Sequence, residues 1–131
     1  MTLPLNMLSL MLLGIPAMLL HEGGHLLMAL LCGVKVKKVG LSRTGLYTVR
    51  EPGPRWANCC VSLAGPLFNL SLAIVLRDAL PTFAFVNLIA CIYNLLPIPN
   101  SDGRRILALL ATPGAIAEVS AQPQRLGGTA V

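Results

Sequence analysis

Three long stretches with almost no formal charge decide what this chain can fold into. Between Met1 and Val34 the one charged residue is Glu22; between Trp56 and Leu76 there is none, and between Ala79 and Ser101 again none. About 20 apolar residues wound as a helix rise about 30 Å, the thickness of a bilayer's hydrocarbon core. The pattern predicts transmembrane helices over about residues 4–33, 56–76 and 80–98, with Pro97 and Pro99 interrupting the last. Composition agrees: 55% of the residues are hydrophobic and 11% charged, where a soluble globular chain has about a quarter charged. A cleaved signal peptide would need a basic leader before its apolar run, and no Lys or Arg precedes Lys35. The first stretch is therefore read as a span.

The segments between these stretches carry the charge. Lys35, Lys37, Lys38, Arg43, Arg50 and Arg55 lie in the first connection, and Arg104 with Arg105 follows the third stretch, whereas the opposite side has only Arg77 beside Asp78. The positive-inside rule then predicts a multi-pass protein of the cell membrane, with its first loop and C-terminus cytoplasmic and its N-terminus outside. In that first loop VKVKKVGL alternates apolar and basic residues and LYTV follows after Ser42-Arg43-Thr44-Gly45, which reads as a β-hairpin over 34–50. A solvated basic loop held near anionic headgroups is the alternative. ILALLATPGAIA is too short to span and is expected in the interface, and the last residues, 119–131, have no periodicity and are expected to be disordered.

The expected fold class is thus an all-α polytopic membrane protein. It has three core transmembrane helices, a short β-hairpin after the first, an interfacial helix near the C-terminus, and a single embedded core over 1–118. The net charge of +5 does not point to nucleic acid, because the bases flank apolar runs and lack interleaved aromatics. Cys32, Cys59, Cys60 and Cys91 lie in apolar runs without a CxxC spacing, so they read as buried, reduced packing residues.

Within the first span stands HEGGH, holding the chain's only two histidines. On a helix His21 and His25 lie one turn apart on one face and can converge on one ion, while Glu22 is offset by about 100° and falls beside His25. Zn²⁺ suits neutral imidazoles and an oxygen ligand, and it lowers the pKa of bound water so that a nearby carboxylate, here Glu22, can take a proton as the water attacks a carbonyl. An accidental match is disfavoured, since each ionisable group at mid-bilayer depth costs at least ~2.5 kcal/mol and a bound cation would compensate.

Two histidines leave a catalytic zinc one protein ligand short. Of the other acids, Glu51 lies in the basic loop, Asp78 beside Arg77 and Glu118 at the tail; only Asp102 ends a hydrophobic stretch on the side where the histidines lie. Pro97 and Pro99 stop the helix and Gly103 permits a tight turn, so an irregular segment can bring Asp102 back at membrane depth. The alternative for Asp102 is a helix cap or a carboxylate paired with Arg104 or Arg105.

HEGGH in one span and NLLPIPNSDG, residues 94–103, ending another resemble the site-2 protease family of intramembrane zinc metalloproteases. Asn94, Pro97, Asp102 and Gly103 meet that family's Asn-to-Asp-Gly spacing, and SLAGPLFNL, residues 62–70, is similar to its Gly-Pro-x-x-Asn element. The resemblance implies zinc held by His21, His25 and Asp102, with Glu22 as catalytic base. It also implies that Asn69 and Asn94 bind substrate backbone or the developing oxyanion; taken alone, an Asn in a membrane helix makes interhelical hydrogen bonds. The hairpin would by the same resemblance pair with an unwound substrate.

Three positions depart from the family pattern: Gly23 where a larger apolar residue is common, Ser101 in place of leucine, and Arg104 in place of a second glycine. The implied activity is cleavage of a transmembrane protein in the lipid bilayer. The alternative is a non-catalytic zinc-binding membrane protein that holds a client helix without cutting it. With no regulatory domain in the RDALP turn, a regulatory membrane partner or a homo-oligomer is also open.

Overall fold

The computed structural model of the chain describes residues 6–42, 45–51 and 53–111. The expected disordered tail, 119–131, and hairpin residues 43 and 44 lie outside the described residues, and the expected interfacial segment is described only as far as Ala111.

Helix α1 runs Met7–Leu31, started by the side chain of Asn6, which accepts hydrogen bonds from the Ser9 amide and hydroxyl at 2.7 Å each. Its end is a left-handed turn at Gly33, φ 67°, with the Gly33 amide donating to Leu30 O (3.1 Å) and the Val34 amide to Ala29 O (2.8 Å). That turn feeds strand β1, Val36–Ser42, which pairs antiparallel with β2, Gly45–Arg50, from Val36 opposite Arg50 to Ser42 opposite Gly45. The alternation in VKVKKVGL is therefore a strand pattern, with an irregularity in register between Val36 and Lys38.

Helix α2, Arg55–Val75, is the centre of the molecule, packed on α1, on α3 (Pro81–Leu95) and on α4 (Asp102–Ala111). Its buried residues Ala57, Val61, Gly65, Asn69 and Ala73 recur every fourth position, the spacing of one helix face. Helix α3 is shorter than expected. It stops at Leu95, because Leu96 precedes Pro97 and is held extended at ψ 143°. At 15 residues it is about 22 Å long; among the described residues, α1 and α2 are the helices long and apolar enough to cross a membrane.

The polarity of the fold is inverted. Small residues fill the contacts between helices, among them Ala17, Ala29, Ala57, Ala64, Ala73 and Ala84, and the buried polar residues include His21, His25, Asn69, Asn87 and Asp102. The large side chains point outward, for example Leu8, Met11, Ile15 and Leu30 on α1, Ile74 on α2, and Ile89 and Ile92 on α3. Of the cysteines, all free, Cys91 is buried as expected but Cys32, Cys59 and Cys60 are only half-buried, since they lie beside rather than on the alanine seams.

Candidate metal centre

The centre forms where α1, α2 and the start of α4 meet. His21 and His25 lie on the face of α1 that packs on α2, and Gly65 of α2 lies flat against both rings: a Cβ built there would overlap His25 Nε2 and come within 2.6 Å of His25 Cε1 and 2.7 Å of His21 Cε1. Gly24, between the histidines, serves the same approach, since a Cβ on it would meet Ala64 O and Phe68 Cβ at 2.9 Å. Gly23 faces open space. The glycine pair thus works asymmetrically, one member making the close helix contact.

Asp102 arrives from the segment after α3. Asn100 takes a left-handed φ of 67°, and the buried Ser101 hydroxyl lies 2.5 Å from Leu96 O and 2.8 Å from Ile98 O while accepting the Arg104 amide at 3.2 Å. Ser101 therefore closes the irregular segment and caps α4 at once. Gly103 packs against the backbone that ends α3, where a Cβ would overlap Leu95 O and come within 2.8 Å of Leu96 O. Neither proline kinks a running helix; the helix ends and the chain turns.

The result is three atoms in a near-equilateral triangle. Asp102 Oδ2 lies 3.0 Å from His21 Nε2 and 3.1 Å from His25 Nε2, and the two ring nitrogens are 3.1 Å apart. All three residues are 4–5% exposed. His25 Nδ1 lies 2.6 Å from Val61 O. A carbonyl can only accept, so Nδ1 carries the hydrogen and a neutral His25 aims the lone pair of Nε2 into the triangle. An ionised carboxylate oxygen also offers only lone pairs. Such a donor set is repulsive by itself and complementary to a cation, and two imidazoles plus one carboxylate are a ligand set for zinc, at bond lengths of about 2.0–2.2 Å. These three residues fit the ion.

Glu22 is half-buried beside the triangle, its carboxylate within 4.8 Å of the ring nitrogens and, among the described residues, without a hydrogen bond to them. Asp102 is the closer carboxylate, so the two acids divide into one in ligand range and one adjacent to it. Asp102 also meets the alternative expected of it: Oδ1 lies 3.5 Å from an Arg105 Nη. The Arg105 contact leaves Oδ2 facing the two imidazoles, so the pairing and a ligand role use different oxygens and are compatible.

A cavity of about 440 Å³ opens on the site, lined by His21, Glu22, Asp102 and both expected asparagines, Asn69 and Asn94. Asn69 is fully buried, and neither its amide nitrogen nor its oxygen has a hydrogen-bond partner among the described residues. Asn94 donates to Ala90 O of its own helix at 2.9 Å.

Residues not singled out from the sequence also act here. Gly65 was visible only as part of a motif, and the Val61 carbonyl has no sequence signal at all. Arg50, ending β2, lies within the fields of Arg105, Asp102 and Glu22; burial lowers its pKa and Arg105 adds to that, while the two carboxylates oppose it.

Comparison with known proteins gives this site its relatives. The family model described as Peptidase M50B-like matches residues 5–126. The zinc metalloprotease MJ0392 of Methanocaldococcus jannaschii is 31% identical over 104 residues, covering 70% of this chain and 31% of that protein. YwhC of Bacillus subtilis, which also bears a zinc metalloprotease name, is 36% identical over 89 residues, covering 51% of this chain and 41% of its own length. The chain thus spans about a third to two fifths of these relatives. With the family model covering most of its length, this chain belongs to the Peptidase M50B-like family of metalloproteases, the site-2 protease group that its motifs resemble.

Proposed function

We propose that the chain is an intramembrane zinc metalloprotease that hydrolyses a peptide bond in or near a transmembrane segment of a membrane-protein substrate. The observation that carries this is the triangle of His21 Nε2, His25 Nε2 and Asp102 Oδ2 beside a cavity lined by His21, Asp102 and a second carboxylate, Glu22. His21, His25 and Asp102 would hold zinc, which when bound supplies a Lewis acid and lowers the pKa of water.

The chain's own residues do the rest. Glu22 accepts the proton of the water whose oxygen bonds to the substrate's carbonyl carbon, then returns it to the amide nitrogen as the C–N bond breaks. Asn69 offers a donor and an acceptor that have no partner among the described residues, the complement of a peptide group, and Asn94, which donates to Ala90 O, lines the same cavity. The β1–β2 hairpin packs on α1 and can add a strand to a substrate whose helix has been unwound.

A bilayer setting is supported by the outward leucines and inward alanines, because a surface so apolar would aggregate in water. We place α1, α2 and α3 across the bilayer, with the hairpin and α4 at the cytoplasmic face, on the distribution of Lys and Arg.

Zinc content and cleavage, measured on the protein reconstituted with a transmembrane substrate, test the reading. Glu22→Gln should keep one zinc per chain and cut about 10²–10⁴-fold more slowly, whereas Asp102→Ala should lose the zinc. Full zinc in Asp102→Ala removes the third ligand; wild-type cleavage by Glu22→Gln removes the base. Zinc binding by a wild-type protein that cleaves no substrate would favour the non-catalytic alternative.

A further inference from the structure

The cavity has two chemically different ends. Its polar end is the metal centre with Glu22 and Asn94. From His21 it continues along α1 to Ala17 and Gly14, and along α3 from Asn94 to Ala90 and Val86, away from the hairpin. Helices α1 and α3 are in contact, and both stretches line the same cavity. The seven steps from Gly14 to His21 rise about 10 Å, which matches three residues of extended peptide at about 3.3 Å each.

Gly14, Ala17, Met18, Val86 and Ala90 line this end with apolar atoms, Tyr93 adjoins it from α3, and a Cβ on Gly14 would meet nothing within 4 Å, so this end is a mainly apolar slot with open space at Gly14. Asn69 of α2 also lines the cavity, buried, and among the described residues neither of its amide atoms has a hydrogen-bond partner. A buried amide with neither partner is costly unless a ligand supplies both, and a peptide backbone does.

Resting on the proteolytic reading, we infer that this slot is a side-chain subsite: with the scissile bond at Glu22 and the adjoining peptide group on Asn69, a residue flanking the cut projects a large apolar side chain, leucine or phenylalanine, between Gly14 and Ala90. The slot joins the polar end within one residue's reach, which favours a substrate side chain over a lipid tail. Selectivity follows from volume: small side chains leave the slot unfilled.

The test uses the zinc-loaded Glu22→Gln protein in detergent micelles. Its ligands are transmembrane peptides with a central glycine, in which each flanking position is set in turn to Gly, Ala, Leu or Phe. At one flanking position Leu and Phe should bind about tenfold or more tighter than Ala. Gly14→Phe and, separately, Ala90→Leu should erase that preference, read as the ratio of Leu to Ala peptide affinities, while holding the same zinc. An undiminished preference in both variants, or none in the parent, overturns the subsite, as it would if a lipid tail filled the slot. Cleavage by wild-type protein, followed in parallel, reports on the protease reading independently of these binding data.

Discussion

Gly65 is the side-chain position on which the metal centre depends most, although it supplies no ligand. A methyl group there would need the space of both imidazole rings, and overpacking of this kind costs about 1–3 kcal/mol even where neighbours can yield. Here the neighbours that would have to yield are the candidate ligands, His21 and His25. Gly65→Ala should therefore keep its helical content and lose zinc, as read by metal analysis beside circular dichroism; full zinc in a folded Gly65→Ala protein would refute the assignment. The two histidines were legible in the sequence because their spacing is set within one helix. Asp102 was legible because few acids end an apolar stretch. Gly65 and the Val61 carbonyl were not, since their roles exist only once two helices touch, and no property of one segment announces its contact distance to another.

Among the secondary elements, α3 and the hairpin were read with unequal success for a physical reason. Charge-free length marks where a chain tolerates hydrocarbon, whereas a helix ends where its backbone must change, and the residue before Pro97 had to be extended. The third stretch therefore contains a helix of 15 residues, Pro81–Leu95, four fewer than the 80–98 expected. The hairpin was legible from period-two alternation, a backbone property that survives a basic composition. If its free edge holds unwound substrate, prolines scanned through Val36–Ser42 should lower cleavage of a helical substrate more than they lower zinc content, because proline removes an edge donor without touching the ligands. Equal losses of both would count against strand pairing and for a merely structural hairpin.

For the assembled protein, the triangle is a tie between distant parts of the chain: it joins α1 to the start of α4 across 77 residues. An ion bound only by the folded state stabilises it by about 2.7 kcal/mol at a hundred times its dissociation constant. Chelation should thus lower the unfolding temperature of the wild-type protein in detergent, and leave Asp102→Ala unmoved. A chelator that shifts both equally would show that its action lies elsewhere.

The alanine seams with leucines outside carry one more implication, for how such a chain tolerates change. In a water-soluble fold, exchanging an inward leucine for valine is felt and enlarging an outward alanine is not. In the bilayer setting proposed above the sensitivities would trade places: the outer leucines would be interchangeable with any greasy neighbour, while a single added methyl at the buried Ala57 or Ala64 would press two packed helices apart.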